Sequence, residues 1–479
     1  MIEVVFAFNA LVLAYFVVAN GFYVALSLLA MRRMRRHVRR QRSLDMAALV
    51  DASGDLPVSL IVPAYNEAQT IVPVVRSMLT LAYETYDIVV VNDGSVDATL
   101  ERLTAAFDLK PAERVQTSSV PTAAIRGVYR SREHPNLWVV DKENGGGKAD
   151  ALNAGLNHSR TPLVCALDAD TLLEPDSLVR VVRPFLEDAT TVAAGGVIRV
   201  ANGCTISGGM VTEVRLPRSL LARFQVVEYM RAFVAARVGW DAIGGTLIIS
   251  GAFGVFRRSV IADAGGFDTA TVGEDMELVM RLHDHLRQRG RPYRISFVPD
   301  PVAWTEAPES LSDLGRQRDR WQRGLMQVLW RHRRMFASPK HGVPGMVAFP
   351  FFLFVELLGP VVEVLGYAAF AATMLLGWGS ATYAGAFVMV AVVLGSLIST
   401  FAVVLQELSF SRYRSTREVL ALVGLAMVEG FGYRQLTLWW RMRGLISGLR
   451  RTTAWGPMDR KGFGDTVSLE PPAGEARAA

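Results

Sequence analysis

The chain has 479 residues, 51% of them hydrophobic, with a formal net charge of +6 and only two cysteines. That length accommodates a soluble domain of roughly 250 residues plus a membrane part, and the apolar excess gathers at the two ends of the chain. Cys165 and Cys204 are too few and too dispersed for a disulfide framework or a thiolate metal site.

From Val4 to Ala30 the sequence is almost wholly apolar, long enough to cross a hydrocarbon core of roughly 30 Å. Only Glu3 precedes it, and Arg32, Arg33, Arg35, Arg36, Arg39, Arg40 and Arg42 follow, which is the reverse of a cleaved secretory signal. The reading is a retained transmembrane helix over 1–31 whose C-terminal end faces the cytoplasm. A basic juxtamembrane linker follows over 32–55, its arginines facing anionic lipid head groups rather than nucleic acid.

The soluble part is expected over 56–336. Val58-Ser59-Leu60-Ile61-Val62-Pro63 is a buried strand stopped by proline, a helix spans about Gln69 to Leu81, and Ile88 to Val91 is a second strand ending at Asn92-Asp93-Gly94-Ser95. A third strand, Trp138 to Val140, leads through a glycine-rich turn into a helix from Lys148 to Asn157, and a fourth, Leu163 to Leu167, ends at Asp168. The alternation predicts an α/β domain on a parallel sheet, with acidic residues at the strand ends where ligands bind.

The loops carry the chemistry. Tyr65-Asn66-Glu67 and Asn92-Asp93-Gly94-Ser95 are side by side and suit a base and a ribose, although the second is also ordinary turn and capping chemistry. In Asp168-Ala169-Asp170, alternate residues of an extended segment present two carboxylates to one Mg²⁺ or Mn²⁺, an ion fit to neutralise a departing diphosphate. Glu143-Asn144-Gly145-Gly146-Gly147-Lys148-Ala149 is not a P-loop, because Lys142 and Ala149 stand where glycine and Ser or Thr are required. It remains either a flexible turn or a phosphate cradle at a helix N-terminus.

Ser59 to Glu67, Asn92 to Ser95, Lys148 to Asn153, Asp168-Ala169-Asp170, Gly273-Glu274-Asp275 and Gln317-Arg318-Asp319-Arg320-Trp321 together resemble the processive family 2 glycosyltransferases. Cellulose, chitin, hyaluronan and poly-N-acetylglucosamine synthases belong to that group, and features near Trp439-Trp440-Arg441 look most like the last. The resemblance implies a GT-A fold, inversion at the anomeric carbon, and a UDP-sugar donor extending a growing glycan that is extruded across the membrane, the alternative being a non-processive transfer of one sugar to a lipid acceptor. It further implies that Asp93, Tyr65 and Glu67 hold the uridine end, Lys148 and Asp168 face the diphosphate, and Asp170 holds the metal. Asp275 is then the general base, with Glu274 beside it. A positioned carboxylate of this kind takes the proton from an otherwise poor hydroxyl nucleophile. The family commonly has Thr or an equivalent where this chain has Gly273.

By the same resemblance Ser250 and Gly251 line the acceptor end, with close glycine packing as the alternative. Gln317 to Trp321 fall on a helix expected over 312–336 and capped by Ser312. There Trp321 stacks on a sugar and Arg318 or Arg320 pairs with phosphate, while later arginines turn to the cytoplasmic face of the bilayer. Apolar stretches from Pro344 to Trp378, Tyr383 to Leu405 and Val419 to about Phe431 predict transmembrane or interfacial helices over 344–440 and a basic, then disordered, tail over 441–479. Glu356 and Glu363 inside the first stretch suit either a glycan channel or a bond between helices. The expectation is a multi-pass protein of the inner (plasma) membrane, with a cytoplasmic catalytic domain and an accessory membrane subunit as a possible partner.

Overall fold

Apolar residues in β1 (Val58–Ala64) and β2 (Tyr86–Asp93) alternate between two separate cores in the computed structural model, which describes residues 2–41, 56–117 and 120–449. Leu60, Val62, Ile88 and Val90 face one core, while Ile61, Val89 and Val91 face the other. Both faces are therefore covered, which explains why these strands read as continuous apolar runs.

The remaining strands are β3 (Leu109–Pro111), β4 (Ile125–Ser131), β5 (Leu137–Lys142), β6 (Leu163–Leu167), β7 (Thr171–Leu173), β8 (Thr191–Val200), β9 (Thr205–Ser207), β10 (Met210–Glu213), β11 (Phe253–Arg257) and β12 (Arg294–Thr305). All but β9 and β10 join one ten-stranded sheet in the order β3-β4-β5-β2-β1-β6-β11-β8-β12-β7. The expected parallel arrangement holds for β5-β2-β1-β6. Beyond β6 the sheet is mixed, because β11 runs antiparallel to both β6 and β8. The insertion of β11 between strands distant in sequence is a tertiary choice that local periodicity does not register.

The first helix runs unbroken from Ile2 to Gln41, so the arginines expected in a linker after residue 31 are helical as far as residue 41. One stripe of this extension docks on the soluble domain: Arg33 pairs with Asp241 at 3.0 Å, His37 with Asp300 at 2.6 Å and Arg40 with Glu187 at 3.1 Å. Arg32, Arg35 and Arg39 stay exposed on the other side, the division that helical spacing imposes. The rest of the expected linker, 42–55, and the tail from residue 450 lie outside the described residues.

Among the described residues, Glu3–Gln41 and Ala381–Phe410 are long and apolar enough to cross a membrane. Two bent pairs, Pro344–Leu357 with Gly359–Leu375 (45°) and Thr416–Val428 with Tyr433–Leu449 (59°), raise the number to four if each pair is one span. The helix bearing Trp321 runs from Leu311 to Arg331 and is capped by Ser310 rather than Ser312, the Ser310 side chain accepting from Asp313 N. The hydroxyl two residues earlier wins because it reaches the third amide of the helix. This helix lies against Tyr433–Leu449, where the Ser447 hydroxyl donates to Asp319 at 2.8 Å and Arg441 Nε donates to Gln322 at 3.0 Å. Of the arginines expected to face lipid, Arg331 instead pairs with Asp268 at 2.6 Å.

Candidate active site

The neighbouring order β2-β1-β6 brings three loops together on the C-terminal edge of the sheet: Asp93 ends β2, Tyr65 to Glu67 follow β1, and Asp168 to Asp170 follow β6. The acidic pair is not extended as the alternation argument assumed. It forms a turn in which Thr171 N donates to the Asp168 carbonyl at 3.1 Å. Ala169 packs into the core while both carboxylates line one cavity of about 730 Å³.

Lys148 ties this turn to the segment bearing Asp275. Its ammonium donates to Asp168 Oδ1 at 2.5 Å and to the Gly251 carbonyl at 2.9 Å, and lies 3.5 Å from Glu274. Burial disfavours the ammonium, yet Asp168, Glu274 and Asp275 outweigh it and hold the lysine charged, above its ordinary range. Burial pushes the Glu274 carboxyl up against the opposing pull of Lys148. A Cβ at Gly251 would stand 2.8 Å from Lys148 Nζ, so a larger residue there would push the ammonium aside.

Asp275 opens the helix Glu274–Gln288, where the helix dipole favours a carboxylate. Its Oδ2 accepts from Gly251 N at 3.1 Å and its Oδ1 from Met276 N at 2.8 Å. Gly273, the departure from the family pattern, meets Gly324 of the Leu311–Arg331 helix: a Cβ on either glycine would lie 3.3 Å from the other's backbone. A side chain at Gly273 would require the two backbones to give by a few tenths of an ångström.

The same cavity is lined by Ser250, Gln317, Arg318, Arg320 and Trp321. Arg318 is committed within the protein, donating to both oxygens of Glu228 at 2.7 and 2.8 Å and stacking 4.5 Å from the centre of the Trp321 ring. This bidentate pair, which Tyr433 completes by donating its hydroxyl to Glu228 at 2.8 Å, engages one of the two arginines expected to meet a phosphate. Trp321 keeps 44% of its surface exposed.

Asp93, Tyr65 and Glu67 are not among the residues lining this cavity. Asp93 is buried against the Lys142 ammonium and accepts from Gly145 N at 3.1 Å, which fastens the glycine-rich loop. Tyr65 is half exposed, and Glu67 accepts from the Thr70 hydroxyl at 2.7 Å. Lys142 enters the sequence motifs only where it breaks a P-loop, and Glu228 and Arg237, from the long stretch between β10 and β11, belong to none of them. A buried lysine at a strand end was the available signal for Lys142; nothing local distinguishes Glu228 or Arg237.

Asp168 and Asp170, lining one cavity, are a hard-oxygen donor set. Among the described residues no three His, Cys, Asp or Glu side chains gather to cage an ion. Both facts fit Mg²⁺ or Mn²⁺, which bind through one or two carboxylates and take their remaining ligands from water and substrate phosphate.

The profile of the family described as Glycosyltransferase like family 2 matches residues 56–324. The chain belongs to this family. The glycosyltransferase is 29% identical over 274 residues to poly-beta-1,6-N-acetyl-D-glucosamine synthase of Staphylococcus aureus (strain COL), covering 57% of this chain and 56% of the relative. Against the synthase of the same name from Staphylococcus epidermidis it is 27% identical over the same extent. The matched region thus spans little more than half the length of these relatives. A mannosyltransferase from Pyrobaculum calidifontis, solved with GDP-Man and Mn²⁺, superposes with a TM-score of 0.51 at 21% identity, covering 88% of this chain and 99% of that one. The glycosyltransferase accordingly has the GT-A fold, joined to helices apolar enough to span a membrane.

Proposed function

We propose that the protein is a membrane-embedded, inverting, processive glycosyltransferase that polymerises N-acetylglucosamine from a UDP-sugar and passes the product across the membrane. One observation carries this reading: the cavity lined by Asp168, Asp170 and Asp275 continues to Asn20 and Tyr23 of the first span, Glu363 between helices and Ile398 of the second. A polymer leaving the reaction centre along that cavity enters the membrane part directly. Paired groups along it, such as Arg434 with Glu363 at 3.0 Å, keep its walls polar without stranded charge.

In this mechanism Asp275 takes the proton from the acceptor hydroxyl as its oxygen attacks the anomeric carbon, and the nucleoside diphosphate departs from the opposite face. Gly251 N and Met276 N hold the carboxylate in place, so little reorganisation is needed in the transition state. Lys148 supplies fixed positive charge towards the leaving group. Asp170, with Asp168, would hold Mg²⁺ or Mn²⁺, which when bound neutralises charge on the diphosphate. Asp93, Tyr65 and Glu67 are assigned to the uridine end, and Trp321 to stacking on the acceptor sugar. The arginines exposed after the first span support a cytoplasmic catalytic domain.

The test is incorporation of labelled sugar from UDP-N-acetylglucosamine and from UDP-glucose by the purified protein in vesicles, with product sizing, metal chelation and the Asp275→Asn variant. Long, metal-dependent product that falls at least about a hundredfold in the variant is expected. A product that stops after one sugar on a lipid refutes processivity, and full activity of the variant refutes the assigned base. Polymer from the purified chain alone excludes an obligatory accessory subunit.

A further inference from the structure

Arg237 is a charged group that neither the motifs nor the proposed mechanism employs. It ends a π-helical segment, Arg231–Arg237, an irregularity that often marks functional sites in helices. Its side chain lines the same cavity as Asp275, Gly251 and Trp321, and its guanidinium lies 4.1 Å above the centre of the Phe233 ring. Its Nη1 is buried and has no hydrogen-bond partner among the described residues.

A guanidinium removed from water with an unfilled N–H is disfavoured. Burial indeed pulls the Arg237 pKa down to about 10, with Asp275 the first of the groups that oppose it. In the same cavity wall Arg231 is bonded to Ser399 and Glu429, and Arg318, whose Nε is likewise unfilled, is held by Glu228 through its other two nitrogens. Guanidinium groups have donors only, so the partner Arg237 Nη1 takes is an acceptor, and an oxygen of a ligand in the cavity can supply it.

Position decides which ligand. Lys148 and Asp168 mark the diphosphate side, whereas the Arg231–Arg237 segment packs against the helices Ile2–Gln41 and Leu394–Phe410, the side on which a growing glycan would leave. The carboxylate whose field reaches Arg237 is Asp275, the group assigned to the incoming hydroxyl. We infer that Arg237 binds an oxygen of the acceptor sugar, holding that sugar over the Phe233 side of the cavity with its hydroxyl turned to Asp275. This rests on the transferase reading given above. It adds a residue that selects and orients the acceptor rather than the donor.

The full-length protein in vesicles is assayed with UDP-N-acetylglucosamine as donor and a short N-acetylglucosamine oligosaccharide as titrated acceptor, for the wild type, Arg237→Gln and Arg237→Lys. Loss of one charged hydrogen bond predicts an acceptor KM raised about ten- to hundredfold in Arg237→Gln, with the donor KM within about twofold of wild type. Arg237→Lys restores part of the acceptor affinity, which a purely structural role would not explain, and melting temperature is recorded for both. Unchanged acceptor KM, or donor and acceptor KM rising together, overturns the assignment. If Arg237→Gln melts early, the same split is read from Arg237→Lys. Wild-type protein that transfers no sugar overturns the transferase reading itself, which separates that failure from a failure of Arg237 alone.

Discussion

Gly251→Ala isolates the role of Lys148 without removing any functional group. The new Cβ would stand 2.8 Å from Lys148 Nζ, 3.5 Å from Glu274 Oε1 and 3.7 Å from Asp275 Cβ. Only the lysine contact is too close, and it is with the mobile end of a long side chain, so the ammonium retreats by about 0.6 Å to reach ordinary contact. That retreat lengthens its 2.5 Å contact with Asp168, weakening the attraction by about 1 kcal/mol at an effective dielectric near 20. The bond to the Gly251 carbonyl, 2.9 Å long, is lost as well, at about 1.5 kcal/mol. A third of the Asp168 side chain is exposed (34%), and water screening brings the total to about 2 kcal/mol. The expected result is a roughly thirtyfold fall in kcat/KM for the donor, with thermal stability nearly unchanged. Steady-state kinetics on Gly251→Ala, Lys148→Met and the double variant check it, the double variant being scarcely worse than Lys148→Met alone. Wild-type kinetics in Gly251→Ala, or additive losses in the double variant, would refute the argument that the glycine acts through the lysine.

Two further substitutions probe the framework. Glu277 is fully buried, and although burial raises its pKa, the bonds from His332 and Arg281 hold the carboxyl below its ordinary value. A depressed folded pKa means the stabilisation is complete above the ordinary value and is lost as pH falls through the folded one. Melting temperature should therefore drop as pH is lowered beneath the usual carboxylate range, and Glu277→Gln should flatten that dependence; an unaltered pH slope in the variant contradicts it. Gly273→Thr, which restores the residue common in related enzymes, should destabilise the protein by about 1–3 kcal/mol through its contact with Gly324, measured by thermal unfolding in detergent, and a neutral effect would show that the helices separate freely.

The motif loops, the first four predicted strands and the apolar terminal segments were legible because each depends on local chemistry: a buried run, a proline or glycine stop, or a carboxylate at a strand end. The acidic turn is legible as a carboxylate pair but not as a backbone, since Asp168 and Asp170 reach one cavity through a bend and not through strand alternation. Arg318 was likewise identified, but its partner, Glu228, lies 90 positions away and no spacing rule connects the two.

Order along the chain thus determined which side chains are available and which strand ends carry them. Tertiary structure decided their partners. The placement of β11 beside β6, the docking of Arg33, His37 and Arg40 on the soluble domain, and the alignment of Tyr433–Leu449 with the helix of Trp321 all join segments far apart in sequence. Such contacts form because buried charges need counter-charges and apolar faces need cover, and both requirements are satisfied across the whole chain rather than within any window of it.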